Sequence, residues 1–291
     1  MKSLRTPLLI LLTLLFHSPW VQGQTTPNPD MYITDGSVTS VLRLGNYVYI
    51  GGAFTKVGPN TGYGAKLTTT SHLHDKTFPS VNGIIRVATP DGSGGWYIGG
   101  EFTRVGSTTR NRAAHINADG SVDANWNPGA NAAVWTIVVD GTNIYLGGAF
   151  TSIGGQARSR AAKFSNTGVI DATWNPNANG NVYSIAIDGA DIYVGGAFTS
   201  IGGQPRNYIA KLNNSNGNAD ATWNPNANST VQTLNVSGSN IYAGGMFTSI
   251  GGQTRNRIAK LNNSDGAADA TWNPDADFAV NAIAIDGSDL Y

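Results

Sequence analysis

Apolar and polar positions alternate in short runs through most of this chain, and each run ends at a turn signal. In 182–187, VYSIAI, β-branched residues alternate with smaller ones, the period-two pattern of a half-buried strand. Asp188-Gly189 follows, a dipeptide favoured in two-residue hairpins because both central residues of that turn need positive φ. A second strand is predicted over 191–198 (DIYVGGAF), a third over 206–213 (RNYIAKLN) and a fourth over 219–223 (ADATW), with a turn at 215–218 (SNGN) between the last two. Polar connections such as 175–181 (NPNANGN) carry a proline stop. No segment after the N-terminal stretch has helical periodicity.

The pattern recurs. Gly-Gly pairs stand at Gly51-Gly52, Gly99-Gly100, Gly147-Gly148, Gly195-Gly196 and Gly244-Gly245, spaced 48, 48, 48 and 49 residues apart. Each is followed two positions on by phenylalanine: Phe54, Phe102, Phe150, Phe198 and Phe247. Each is preceded by tyrosine: Tyr49, Tyr97, Tyr145, Tyr193 and Tyr242. Trp126, Trp174, Trp223 and Trp272 open WNP tripeptides in step, and Phe78-Pro79 stands one period earlier. Four strands of about six residues with four connections of about six account for such a period. A tandem four-stranded sheet is the blade of a β-propeller, whose apolar faces are covered only by neighbouring blades. The predicted fold is therefore all-β: a propeller of four-stranded blades with five complete repeats and a partial sixth.

Glycine pairs after a strand also occur in phosphate-binding loops, but those need a helix whose N-terminal amides face the anion. Here a β-type segment follows, five times over, so the glycines read as steric: a bulge or a close backbone approach where blades crowd.

This grammar resembles kelch-type blades and, more closely, the bacterial "delta-60" β-propeller repeats, whose Gly-Gly-x-Phe-Thr signature is present as GGAFT, GGEFT and GGMFT. The resemblance covers about 38–291 and implies a secreted or surface propeller. It implies no particular activity. The first copy departs from it with KVGPNTGYGAKL (56–67), which puts its third strand in question.

Outside the repeats, residues 1–23 carry Lys2 and Arg5, an apolar run from Leu8 to Phe16, and Val21 and Gly23 before Gln24. This is the tripartite pattern of a secretory signal, and a run of nine residues is too short to cross a bilayer. The expected organisation is a signal peptide (1–23), a linker (24–37) and the propeller (38–291), with repeats near 38–80, 81–128, 129–176, 177–225 and 226–274 and a partial one at 275–291. The last twelve residues, VNAIAIDGSDLY, match VYSIAIDGADIY at 182–193. That half-made blade predicts a piece of a longer protein; the alternative is closure of a sixth blade by 31–35 (MYITD).

Composition narrows the function classes. The chain of 291 residues has 18 bases and 18 acids. Loss of Lys2 and Arg5 leaves 16 against 18, a net charge of −2. No basic field marks a nucleic-acid partner, and no stable membrane insertion is expected after signal cleavage. With no cysteines, disulfides, zinc-thiolate sites and thiol nucleophiles are excluded. So is the cysteine cross-link of the copper-radical oxidases built on kelch blades.

Two charged positions repeat: Arg110, Arg158, Arg206 and Arg255, and Asp75, Asp123, Asp171, Asp220 and Asp269. They read as Arg–Asp ion pairs within or between blades, or as an arginine ring for an anionic ligand. The tryptophans read as core, with sugar stacking as the alternative. The Asp-Gly hairpins are explained by turn chemistry; calcium is the alternative, and no other cofactor is implied. His72 and His74 lack a third ligand. Catalysis has little support: the single glutamate is Glu101, and a glycosidase needs two carboxylates placed across a bond. Glu101, His115 and Trp135 are deviations from the repeat and so candidate site residues. The expected function is an exported binding or scaffold module for a protein or glycan, with contacts through the Asn/Asp-rich loops. The alternatives are an extracellular carbohydrate-active enzyme with its site at the propeller mouth and a purely structural surface repeat.

Overall fold

Five antiparallel sheets, each of three strands, succeed one another among the described residues. The computed structural model describes residues 34, 36–44, 47–55, 63–68, 75 and 77–291. The predicted signal, most of the linker, residues 56–62 of the first copy, and His72 and His74 lie outside the described residues. So does all of 31–35 except Thr34.

Blade 1 comprises Ser37–Leu44, Tyr47–Ala53 and Gly64–Thr68. Blade 2 comprises Ile85–Pro90, Trp96–Gly100 and Ala113–Ile116. Blade 3 comprises Val134–Asp140, Asn143–Gly148 and Ala161–Ser165. Blade 4 comprises Val182–Asp188, Asp191–Gly196 and Ile209–Asn213. Blade 5 comprises Val231–Ser237, Asn240–Gly245 and Ile258–Asn262. A short hairpin, Ile285–Asp286 with Asp289–Leu290, follows. The first strands lie side by side in chain order from blade 1 to blade 5, so each sheet faces the next. No helix occurs among the described residues.

Local structure departs from the sequence reading in four places. The third strand of blade 4 begins at Ile209, not 206, because Tyr208 adopts φ 64° and breaks the extended run. The fourth segment is reduced to single bridges, such as Leu212 with Ala219 and Phe164 with Ile170. There Asp220 Oδ1 accepts the amides of Thr222 (2.8 Å) and Trp223 (3.0 Å), turning the chain before a ladder can form. The stretch after GGAF is a separate ribbon, Ser200–Ile201 with Gln204–Pro205, joined by Gly202 and Gly203 at φ 61° and 76°. Two positive φ values are what a type I′ turn requires. In the Asp188–Asp191 hairpin, by contrast, Gly189 alone is left-handed (φ 57°), the pattern of a II′ turn. Blade 1 does have its third strand, Gly64–Thr68.

The core lies between blades. One apolar cluster joins Tyr145, Ala161 and Trp174 of blade 3 to Val182, Ile192, Val194 and Phe198 of blade 4. Equivalent clusters join blade 2 to blade 3 and blade 4 to blade 5. Polar bonds cross the same seams: Thr89 Oγ1 donates to the Ile137 carbonyl (2.8 Å), and the Leu234 amide to Ser184 Oγ (3.0 Å). A blade that buries its face only against its neighbour depends on that neighbour for its stability.

Candidate functional site

The register gives every blade two unlike ends. One carries the Gly-Gly pair: in blade 4 Gly196 faces Val182, and Gly195 faces Ser184 and Ile209. The other carries the Asp188–Asp191 turn, with Asn213 opposite Asp191. The residues singled out in the sequence divide between these ends and the seams.

At the Gly-Gly end the two glycines do different things. A Cβ on Gly195 would lie 2.8 Å from Val231 Cγ1 of the next blade. One on Gly196 would lie 2.1 Å from the Asn181 carbonyl oxygen, just before its own first strand. The other copies repeat this division: Gly99 and Gly147 face Val134 and Val182 of the following blade, and Gly244 faces Val280. Gly51 meets Ile85 at 3.0 Å. Gly52, Gly100, Gly148 and Gly245 instead meet backbone oxygens at or just before their own first strands. Phe54, Phe102, Phe150, Phe198 and Phe247 are fully buried.

Trp126, Trp174 and Trp223 are completely buried, and Trp272 is half-buried. Each packs edge-on against the tyrosine of its own blade, Tyr145 with Trp174 at 5.3 Å and Tyr193 with Trp223 at 5.2 Å. Trp174 Nε1 donates to the Asn213 carbonyl (3.1 Å) and Trp223 Nε1 to that of Asn262 (3.0 Å), both in the next blade. The three buried rings have no face left for a sugar.

Arginine and aspartate do meet, but not as carboxylate ion pairs. Arg110, Arg158, Arg206 and Arg255 are buried, and each donates through Nη2 to the main-chain oxygen of Asp123, Asp171, Asp220 or Asp269 respectively. The carboxylates face elsewhere. Asp75, Asp171 and Asp269 pair with Lys66, Lys163 and Lys260, and Asp171 and Asp220 also receive the amides that lead into the tryptophan. The guanidinium thus clamps the turn that its aspartate opens.

Blade 2 has His115 at the lysine position. Its Nδ1 lies 2.9 Å from Asp123 Oδ2, its Nε2 3.1 Å from Asp91 Oδ2, and its ring stacks on Tyr97 at 4.3 Å. In blade 3 the Lys163 ammonium occupies the corresponding place over Tyr145 (5.7 Å). Burial, with Asp140 and Asp171 nearby, pushes the Tyr145 hydroxyl up to about 12. For Asp171, burial acts to raise the carboxyl, but hydrogen bonds from Thr173, Lys163 and the Trp174 amide outweigh it and leave it at about 2. Its folded value is lowered, so its contribution to stability is full above about 4 and is lost as pH falls towards the folded value. The melting temperature should drop across that window. Asp171→Asn should flatten the drop, modestly because the pair is partly exposed; an unchanged slope would contradict the assignment. Among the described residues no group of three or more acidic, histidine or cysteine side chains is placed to hold a metal.

The asparagine-rich loops are partly consumed by the fold. Asn179 Oδ1 accepts the amides of Thr199 and Ser200 (2.8 and 3.0 Å) while Nδ2 donates to Thr199 Oγ1. Asn82, Asn131 and Asn228 also accept the two amides that follow their own Gly-Gly-x-Phe segments. These exposed asparagines spend their side-chain amides clamping the start of the ribbon.

The diversity lies at one position per blade. Each first strand is bulged opposite its Gly-Gly pair, and the unpaired residue is Thr39, Arg86, Trp135, Tyr183 or Gln232. A bulge frees a residue from the ladder and re-aims its side chain. Four of the five, Thr39, Arg86, Trp135 and Tyr183, line one open cavity of about 390 Å³. The Trp135 and Tyr183 rings lie 4.9 Å apart, tilted by 36°. Arg86 binds Glu101 Oε1 through Nε (2.8 Å) and Nη2 (2.5 Å), with both side chains about 40% exposed. Trp135 and, through Arg86, Glu101, two of the three deviations, thus lie at one end, and His115 lies at the other. Thr39, Arg86 and Tyr183 escape a reading based on repetition. The signal for them is a position whose β-branched neighbours recur while it changes chemical type.

A family model described as "Domain of unknown function (DUF5122) beta-propeller" matches residues 89–125, 143–173, 191–222 and 240–271. No curated protein matches the chain. Among solved structures it is similar to the computationally designed Ika8 protein, with TM-score 0.52 and 11% identity over 86% of this chain and 78% of that one. It is also similar to the extracellular domain of the BT4673 system of B. thetaiotaomicron, with TM-score 0.55 and 17% identity over 90% of this chain and 31% of that one. At these identities the likeness concerns the fold alone.

Proposed function

Since this chain is a β-propeller repeat protein, we propose that it is an exported binding module that grips a saccharide chain at the Gly-Gly end of its blades. One observation carries the reading. The framework repeats, yet the residue released by each bulge changes from blade to blade, and four such residues converge on one cavity. About 390 Å³ lies within the range of small-ligand sites. Trp135 and Tyr183 supply half-buried aromatic surface for the apolar faces of a pyranose, and Arg86 and Glu101 supply donors and acceptors for hydroxyls. The clamping of Asn82, Asn131, Asn179 and Asn228 favours this mouth over the asparagine-rich loops. Export rests on the signal pattern at 1–23 and accords with the extracellular setting of the BT4673 domain.

The test is a glycan array followed by calorimetry on the mature protein. Trp135→Ala should weaken binding of the best glycan by about tenfold or more, the scale of one lost aromatic contact, with the melting temperature kept. Equal binding by the variant, or no glycan bound at all, would end the proposal.

A further inference from the structure

We infer that the saccharide is anionic, and that a collar of arginines around the mouth reads its carboxylate or sulfate groups. The inference rests on the mouth being the binding site and adds the class of ligand. The residue two after each clamp arginine is Arg112, Arg160, Tyr208 or Arg257, and all four adopt left-handed backbone, at φ 67°, 68°, 64° and 64°. That conformation is costly for side chains of this size. It is held by paired backbone bonds: in blade 3 the Gly148 amide donates to the Arg160 carbonyl, and the Arg160 amide to that of Phe150. The same bonds form at Arg112, Tyr208 and Arg257. The fold therefore sets this position beside the Gly-Gly pair in four blades, and three of them carry a guanidinium there.

In blade 2 the collar reaches the bulge residue through Glu101. Arg112 Nη1 donates to the main-chain oxygen of Glu101, whose carboxylate holds Arg86 at the cavity. Arg160 and Arg257 donate in the same way to Ala149 and Met246, the equivalents of Glu101 in their blades. Each guanidinium is half-buried and has donors beyond the one spent on that carbonyl. Among the described residues no carboxylate pairs with Arg112, Arg160 or Arg257. Arg86 shares Glu101, and Asp275 accepts the amide of Asn256, the neighbour of Arg257. Arg112, Arg160 and Arg257 thus stand at this end with no carboxylate of their own. At the other, Asp191, Asp171, Asp269, Asp91 and Asp123 gather around Lys211, Lys163, Lys260 and His115. The chain is nearly neutral overall, but its charge is separated along the blades. Arginine forks match carboxylate and sulfate geometry, and the aromatic pair at the centre favours a sugar chain over other polyanions.

The test uses polygalacturonate, dextran sulfate and neutral dextran as probes of the mature protein at low and high salt. Wild type should prefer the acidic chains, and the preference should fade with salt. R112Q/R160Q/R257Q should lose about tenfold or more for the acidic probes, the scale of a few charge-assisted bonds, while dextran binding holds. Arg104→Gln, an exposed charge on the blade 2 ribbon, serves as control and should change little. In case the triple variant does not fold, Tyr208→Arg fills the fourth collar position and should tighten acidic binding severalfold. Preference for polygalacturonate alone would identify carboxylate as the group read, and equal preference for dextran sulfate would identify charge; both support the inference. Unaltered acidic binding in a folded triple variant, or no gain in Tyr208→Arg, would overturn it. If Trp135→Ala still abolished dextran binding, the mouth reading would survive that failure.

Discussion

Replacing Gly196 by alanine is expected to lower stability by about 3 kcal/mol, the upper end of the usual range for overpacking. The added methyl would sit 2.1 Å from the Asn181 carbonyl oxygen. That oxygen cannot rotate away like a side chain, and it already accepts the Ala197 amide at 2.8 Å. Relief would require opening the bulge that presents Tyr183, so ligand binding should fall along with stability. Gly195→Ala should cost less, because its nearest obstacle is a Val231 methyl. Gly203→Asn should cost almost nothing: open space surrounds that Cβ, and asparagine tolerates φ 76°. Urea unfolding of the three variants checks the order. Equal midpoints for Gly196→Ala and Gly203→Asn would refute the steric account.

Trp174→Ala should cost about 3–5 kcal/mol, as expected for a fully buried aromatic. The indole has no exposed surface, sits edge-on to Tyr145, and bonds the Asn213 carbonyl across the seam. Trp174→Phe keeps most of the bulk and loses only that bond, since the carbonyl still accepts the Gly217 amide, so about 0.5–1.5 kcal/mol is expected. Because the lost contacts join blade 3 to blade 4, the alanine variant should also unfold less cooperatively, with a broader calorimetric transition than wild type. Trp272→Ala, starting from a half-buried ring, should cost less. A sharp two-state transition in Trp174→Ala, or equal costs at Trp174 and Trp272, would argue against seam coupling.

These two sites also mark what the sequence could and could not show. Strand alternation, the Gly-Gly pair and the once-per-repeat tryptophan are features of composition and spacing, and they point to blades directly. Which atoms meet is another matter. Arg206 and Asp220 repeat together because they touch, but spacing cannot tell a carboxylate from a main-chain oxygen, and the contact uses the latter. Asn179 reads as one polar loop residue among many, since its partners Thr199 and Ser200 stand twenty residues away in the chain. The ribbon at 200–205 is too short to show alternation. The candidate mouth was least legible for a physical reason. A bulged residue makes no ladder pair and fills no core position, so neither periodicity nor burial constrains its type, and a search for repetition passes over Arg86 and Tyr183. Glu101 and Trp135 drew attention only as exceptions.

The seam tryptophans have a further consequence for how the molecule is made. The Trp174 and Trp223 indoles find their hydrogen-bond acceptors in the sheet synthesised after them. A nascent chain leaving the ribosome therefore carries a sticky ring at its growing edge until the following forty or so residues emerge. Translocation or chaperone capture that keeps pace with that delay would protect the intermediate, and a pause placed just after a WNP tripeptide would prolong its exposure.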